Sequence, residues 1–177
     1  MTLRLNSTDF WRWAYSDFLS NALRGVLAEY IVAQAAGCTH RARTEWDAYD
    51  LLTDDGIRIE VKSAAYLQSW EQERPSEIRF GIGLKRGWNA TTNSQTNVPG
   101  RAADLYVFCL FHEQAREQAD PLNLHQWTFW VCPTSVLNER FPRQKTIGLA
   151  ALERLGLPRV GFAGLAQQIE AASLRRS

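Results

Sequence analysis

Asp50, Glu60 and Lys62 are the residues of this sequence whose types and spacing could do chemistry. Hard divalent cations such as Mg²⁺ prefer oxygen ligands, usually one or two carboxylates together with water and substrate phosphate. A lysine beside such a site can orient the water that attacks phosphorus, or help to deprotonate it. If the fold brings these three side chains together, they indicate a metal site that hydrolyses phosphate esters. The alternative is a solvated strand face with ordinary cross-strand charge pairs.

The element that must position these residues is a β-hairpin over residues 49–63. Its Asp-Asp-Gly turn signal predicts a three-residue loop in which Gly56 takes the left-handed conformation. Asp50 then lies directly opposite Glu60, and because side chains alternate along a strand, Lys62 shares their face. The opposite face carries Tyr49, Leu51, Ile57, Ile59 and Val61. A two-residue loop would move Asp50 onto that apolar face, so the apolar pattern favours the three-residue loop.

The order of Asp50, a short hairpin and then Glu60-Val61-Lys62 resembles the PD-(D/E)xK nuclease superfamily over roughly residues 20 to 70. The resemblance implies a restriction-endonuclease-like fold, with a mixed central sheet flanked by helices. It also implies that Asp50 and Glu60 are metal ligands, helped by the backbone carbonyl of Val61, and that Lys62 acts in the hydrolytic step. The implied cofactor is Mg²⁺, with Mn²⁺ as a substitute. Tyr49 stands where the proline that names the motif is found in many members.

Members of this superfamily commonly add a glutamate from a helix ahead of the hairpin, and Glu29 is the matching residue. The pattern predicts a helix over 22–36 that ends at Gly37. Glu29 falls on a stripe of small residues, which would let the helix approach the sheet closely. An ordinary exposed glutamate remains an equal alternative.

The whole chain of 177 residues is predicted to form one domain of the α/β class. The nearly continuous apolar run over 103–111 is typical of a central strand that is buried on both faces. The other predicted strands are 78–84 and 126–132, and the other predicted helices are 8–19, 133–140, 149–155 and 162–174.

Substrate contacts are predicted mainly in the segment 79–101, which contains no acidic residue and includes a long polar loop. Cations, amide side chains and an aromatic ring suit contacts to phosphates and bases. A plain surface loop is the alternative. The candidate substrate-binding residues, including two that follow the hairpin closely, are Ser63, Gln68, Lys85, Arg86, Trp88 and Arg101.

The overall composition narrows the class of protein. A formal net charge of +1 means that any affinity for DNA must come from a local basic patch. The three cysteines show no zinc-binding spacing, and the chain contains no P-loop and no paired-histidine metal motif. With no signal-peptide core and no membrane-length apolar run, we expect a soluble, cytoplasmic protein.

These observations predict a metal-dependent endodeoxyribonuclease with DNA as its partner and no membrane partner. A non-catalytic nuclease-like module that binds DNA or a protein is the alternative. Because one active site cuts one strand, cleavage of both strands at a fixed position suggests a homodimer.

Overall fold

The computed structural model describes residues 4–40, 43, 48–86, 88–89, 94–95 and 98–175. The helices are α1 (Ser7–Ala14), α2 (Asn21–Ala36), α3 (Thr134–Arg140), α4 (Leu149–Glu153) and α5 (Phe162–Ser173). The strands are β1 (Leu51–Leu52), β2 (Arg58–Ala65), β3 (Arg79–Gly81), β4 (Trp88–Asn89), β5 (Ser94–Gln95), β6 (Leu105–Phe111), β7 (Trp127–Pro133) and β8 (Thr146–Gly148). No helix in the described ranges is both long enough and apolar enough to cross a bilayer.

The central sheet has four strands in the order β1-β2-β6-β7. Strand β2 is parallel to β6, whereas β1 is antiparallel to β2, and β7 is antiparallel to β6. All seven residues of β6 are buried, because this inner strand is covered on both faces. The predicted central strand within 103–111 is therefore confirmed.

Helices α2 and α5 cover one face of this sheet, with Ile31 and Leu165 in the same buried cluster as Ile59 and Val61 of β2. The other face is covered by a separate two-stranded sheet of β3 and β8 and by α3 and α4. The predicted α/β class, with a mixed central sheet flanked by helices, is confirmed. The predicted strand over 78–84 is shorter than expected and lies in this second sheet.

Local signals explain the helix that precedes the hairpin. The Ser20 side chain accepts a hydrogen bond from the backbone N–H of Leu23 at the start of α2, and Gly37 ends the helix with a φ of 70°. The predicted helix is thus confirmed with its end at Ala36, and it begins one residue earlier than predicted, at Asn21. Helix α1 starts one residue before the predicted 8–19, because its side-chain cap comes from Asn6, and it ends five residues earlier than predicted, at Ala14.

Candidate active site

The hairpin has the predicted register. Leu51 pairs with Ile59, and the Thr53 N–H donates to the Ile57 carbonyl across a loop of residues 54–56 at 3.0 Å. Gly56 has a φ of 76°, which is the left-handed conformation that this loop requires. The Asp50 N–H donates to the Ile59 carbonyl at 3.0 Å. Ile59 is the residue that pairs with Leu51, so this bond departs from the regular ladder, and the strand pairs of β1 and β2 do not include the predicted pair of Asp50 and Glu60.

Asp50 lies at the edge of the sheet, just before β1 begins. Its Oδ2 atom accepts a hydrogen bond of 2.7 Å from the backbone N–H of Val61. The carboxylate thereby occupies the position of a strand partner that β1 is too short to provide. Burial, and after it the negative charge of Glu60, raise the pKa of Asp50 to about 6, although the Val61 hydrogen bond and the positive charge of Lys62 oppose the shift.

Tyr49 does not lie on the α2 side of the sheet, as the alternation of side chains had predicted. It packs with the second buried cluster, which includes Phe80 and Phe108. The reason is that regular strand geometry starts only at Leu51, so the alternation does not extend back to residue 49. Leu51 itself packs in the first cluster, as predicted.

Glu60 is only 4% exposed and is held by two lysines. Its Oε1 atom accepts hydrogen bonds from the Nζ atoms of Lys62 at 2.5 Å and Lys85 at 2.8 Å. Burial alone would raise the pKa of Glu60, but the charges and hydrogen bonds of the two lysines outweigh it and leave the pKa below its usual value. Glu60 is therefore ionised at neutral pH.

Lys85 belongs to this cluster, although the sequence had suggested it only as a phosphate contact. A pair of backbone hydrogen bonds to Gly100, each 2.9 Å long, holds its main chain in place. The bond to Glu60 raises the pKa of Lys85 even though burial lowers it. Sequence spacing could not have indicated the contact, since the two residues are separated by an intervening strand.

Glu29 lies near this group without completing a set of three acids. Both of its carboxylate oxygens accept hydrogen bonds from the Arg43 guanidinium, and its charge contributes to the raised pKa of Asp50. Among the described residues, no three His, Cys, Asp or Glu side chains are grouped so that they could hold a metal ion. The carboxylates available for a cation here are therefore those of Asp50 and Glu60.

Gln68, a predicted substrate contact, is buried and bonded within the protein. Its side-chain amide donates to the Ala65 carbonyl at 3.3 Å and to the Ser76 hydroxyl at 3.0 Å, and its Oε1 accepts from Arg24. These bonds fix the segment that follows β2 against the start of α2. The geometry therefore gives Gln68 a structural position.

Arg101, another predicted substrate contact, is also hydrogen-bonded within the protein. Its guanidinium donates to the carbonyls of Ile82 and Phe141 and to the Asn138 side chain, at distances of 2.7 to 2.8 Å. All three nitrogens are used, so the side chain joins β3 to α3 and has no nitrogen left without a protein partner.

The remaining predicted contacts differ in position. Ser63 lies on β2, and its Oγ atom is buried with no hydrogen-bond partner among the described residues. Arg86 is exposed. Trp88 lies in β4, but the prediction for its side chain falls outside the described part of the structure. Substrate contacts by these three residues remain predictions.

A basic cleft of about 490 Å³ opens beside the Glu60 cluster. Four cations, Lys62, Lys85, Arg143 and Lys145, line it together with uncharged residues. Arg143 and Lys145 were missed by the sequence reasoning, which concentrated on the acid-free segment 79–101. A second acid-free basic stretch, residues 140–145, was the signal that could have found them.

The sequence matches the family described as Bacteriophage T4 endonuclease IV over residues 11–150. The match covers well over half of the 177 residues and includes the whole site, from Glu29 through the hairpin to Lys145. No curated protein matches the chain.

Proposed function

The chain belongs to the bacteriophage T4 endonuclease IV family, a family of endonucleases, and we propose that it cuts DNA at the Asp50–Glu60–Lys62 site with the help of a divalent cation. The observation that carries this proposal is the placement of two carboxylates and a lysine at one edge of the sheet. Asp50 and Glu60 are close enough for the charge of Glu60 to raise the pKa of Asp50.

The chemistry of these groups fits Mg²⁺ or Mn²⁺. Two carboxylates that repel each other in a partly buried site are stabilised by a cation between them. Mg²⁺ is usually bound by one or two carboxylates and completes its coordination with water and substrate phosphate, so a third acid is not required. Such a cation would supply Lewis acidity to the scissile phosphate and to the attacking water.

Lys62 has a different task from the two acids. Its ammonium group is held at 2.5 Å from Glu60 Oε1, and its side chain is 20% exposed. An ammonium group fixed there before the reaction can orient the attacking water and stabilise the negative charge that develops on the phosphate. Glu60 therefore acts both as a cation ligand and as the group that positions Lys62.

The fold supports a finer assignment to the PD-(D/E)xK superfamily. The acids and the lysine lie on a hairpin of a mixed sheet, and helix α2 precedes and covers that hairpin. This is the arrangement that the resemblance of Asp50 and Glu60-Val61-Lys62 implies. We include this membership, and the metal dependence that accompanies it, in the proposal.

The test is plasmid nicking and linearisation by the wild type, Glu60→Gln and Lys62→Ala with Mg²⁺, Mn²⁺ or Ca²⁺, together with metal binding by calorimetry. We expect Glu60→Gln to lose both metal affinity and cleavage. Lys62→Ala should bind the metal at least as tightly as the wild type, because a nearby positive charge has gone, but should lose roughly a hundredfold or more in rate, the typical effect of removing one electrostatic group that stabilises a transition state. Ca²⁺ should support little cutting, because its looser coordination positions water poorly.

Glu77→Gln is the matched control, since it removes the same charge from an exposed glutamate that pairs with Arg79. It should cut like the wild type. A wild type that binds no Mg²⁺ and cuts no form of DNA would refute the proposed function. A Lys62→Ala variant with wild-type activity would place the reaction at another site.

A further inference from the structure

The basic cleft continues outward from the proposed catalytic site. Lys62 and Lys85 contribute to its lining and also contact Glu60, so its inner end is the catalytic cluster itself. Arg143 and Lys145 line it from a different part of the chain. A ligand lying in the cleft would therefore contact both the cluster and these two residues.

The two walls of the cleft are fixed to each other by backbone pairing. Strands β3 and β8 are antiparallel, with Phe80 opposite Ile147, and both of these side chains are buried in the core. Beyond β3, the Ile82 N–H donates to the Lys145 carbonyl at 2.9 Å. The backbone that carries Lys145 is thus held in a set position relative to β3.

The cations on the outer wall are available to a ligand. Arg143 and Lys145 are exposed, and neither forms an ion pair with an acidic residue in the described part of the chain. By contrast, Arg58 is neutralised by Asp104 at 2.7 Å. Arg143 and Lys145 therefore place two unneutralised positive charges next to the proposed catalytic cluster, in a chain whose net charge is only +1.

The residues that line the cleft suit a ligand that carries phosphate groups. Gly81 and Gly83 contribute to its lining, and a side chain at Gly81 would meet no atom within 4 Å, so this glycine leaves space open. Phosphate groups are favourable partners for lysine and for the planar, multiply donating guanidinium of arginine. Among the described residues that line the cleft there is no acid, so the negative charges nearest to a bound anion are those of the cluster at its inner end.

We propose that the basic cleft binds the sugar-phosphate backbone of the DNA strand that is cut, with Arg143 and Lys145 each contacting one phosphate. This assignment rests on the proposed function, since it places the next phosphate groups along the strand outward from Lys62. Arg143 and Lys145 are binding residues in this scheme and take no part in the chemical step.

The first experiment measures binding of fluorescein-labelled DNA by anisotropy in EDTA, as a function of salt. The double variant Arg143→Gln/Lys145→Gln should bind more weakly and show a flatter plot of log affinity against log salt. Its slope should fall by roughly 1.8 on duplex DNA or roughly 1.4 on a single strand, which corresponds to two lost phosphate contacts. Arg154→Gln/Arg175→Gln, which removes two exposed cations outside the cleft, is the control and should keep the wild-type slope.

The second experiment measures cleavage with Mg²⁺ over a range of DNA concentrations. The Arg143/Lys145 variant should show a raised KM with a kcat close to that of the wild type, because the interaction is the same in the ground state and in the transition state. Thermal unfolding of both double variants checks that the exposed substitutions leave the fold intact.

The outcomes separate this inference from the proposed function. Wild-type affinity, salt slope and KM in the Arg143/Lys145 variant would overturn the cleft assignment, while metal-dependent cleavage by the wild type would still support the endonuclease. If the slope falls as expected but no metal supports cleavage by the wild type, the cleft assignment stands and the proposed chemistry fails.

Discussion

Asp50 and Glu60 are two neighbouring acids whose surroundings shift their pKa values in opposite directions. The two lysines lower the pKa of Glu60 despite its burial, whereas burial and the charge of Glu60 raise the pKa of Asp50 to about 6 from an ordinary 3.8. In the absence of a metal ion, the ionised form of Asp50 is thus the least compensated charge of the site. This conflict has a measurable effect on stability.

The folded protein holds the Asp50 proton more tightly than the unfolded chain does. The ionisation of Asp50 therefore lowers the free energy of unfolding as the pH rises from about 4 to about 6, and above that range the loss is complete. Asp50→Asn should raise the free energy of unfolding at pH 7.5 in EDTA by roughly 1–3 kcal/mol, since one pKa unit corresponds to about 1.4 kcal/mol. The amide oxygen can still accept the Val61 hydrogen bond.

Urea denaturation at about pH 4 and at pH 7.5 tests this prediction. The gain in the free energy of unfolding of Asp50→Asn should nearly vanish at the lower pH, where wild-type Asp50 is protonated and resembles asparagine. Asp55→Asn, at an exposed position of the hairpin loop, is the control and should show no such dependence. Equal destabilisation by Asp50→Asn at both pH values would show that Asp50 is not the uncompensated charge.

Lys85 is expected to compete with a metal ion for Glu60, because its ammonium group contacts Oε1 of that carboxylate, the same oxygen that Lys62 contacts. Lys85→Gln should therefore tighten Mn²⁺ binding by roughly fivefold, since two unit charges about 4 Å apart in water interact by about 1 kcal/mol. Calorimetric titration with Mn²⁺ alone measures this effect. Lys145→Gln, which removes a cation that makes no contact with Glu60, is the control, and weaker binding by Lys85→Gln would contradict the prediction.

Among the elements, those with local signals could be predicted from the sequence. Gly56 and the alternation of Ile57, Ile59 and Val61 were sufficient to predict the hairpin register, and the apolar run of 103–111 predicted β6. The pairing of β3 with β8 could not be predicted, because it joins segments more than sixty residues apart that carry no local pairing signal. The same holds for the contact of Lys85 with Glu60 and for the wall that Arg143 and Lys145 form.

The hairpin loop provides a test of how an element positions the site. Gly56→Ala should lower the free energy of unfolding by about 1–2 kcal/mol, because a φ of 76° is strained for a residue with a Cβ atom. Urea denaturation measures the loss. The strain should also weaken Mn²⁺ binding by changing how the hairpin places Asp50 relative to Glu60.

Gly161→Ala is the matched control for this loop. Its φ of −83° is open to any residue, and an added Cβ atom would meet nothing within 4 Å. Because Gly161 is the N-cap of α5, where alanine is less favourable than glycine, we expect a small loss in the free energy of unfolding but unchanged Mn²⁺ binding. If Gly56→Ala also leaves Mn²⁺ binding unchanged, the left-handed turn is not what holds the two carboxylates together.

At the scale of the whole molecule, α1 exposes large apolar side chains that pack against no core within one copy of the chain. None of its residues is buried, and Phe10, Trp11 and Trp13 are 48%, 57% and 84% exposed. Large apolar side chains grouped on one surface helix are typical of an interaction surface. An enzyme with one site per chain also needs two copies, or two visits, to cut both strands at a fixed position.

We therefore expect a homodimer in which α1 of each copy contributes to the contact. Sedimentation at micromolar concentration, with and without DNA, should show a dimer for the wild type and a monomer for Trp11→Ser/Trp13→Ser. The monomeric variant should still nick plasmid DNA, because the proposed catalytic residues are unchanged, but should linearise it more slowly. Leu122→Ser/Leu174→Ser removes two other exposed apolar side chains and should remain dimeric. A wild type that sediments as a monomer in both conditions would reject the dimer, and α1 would then need a different partner.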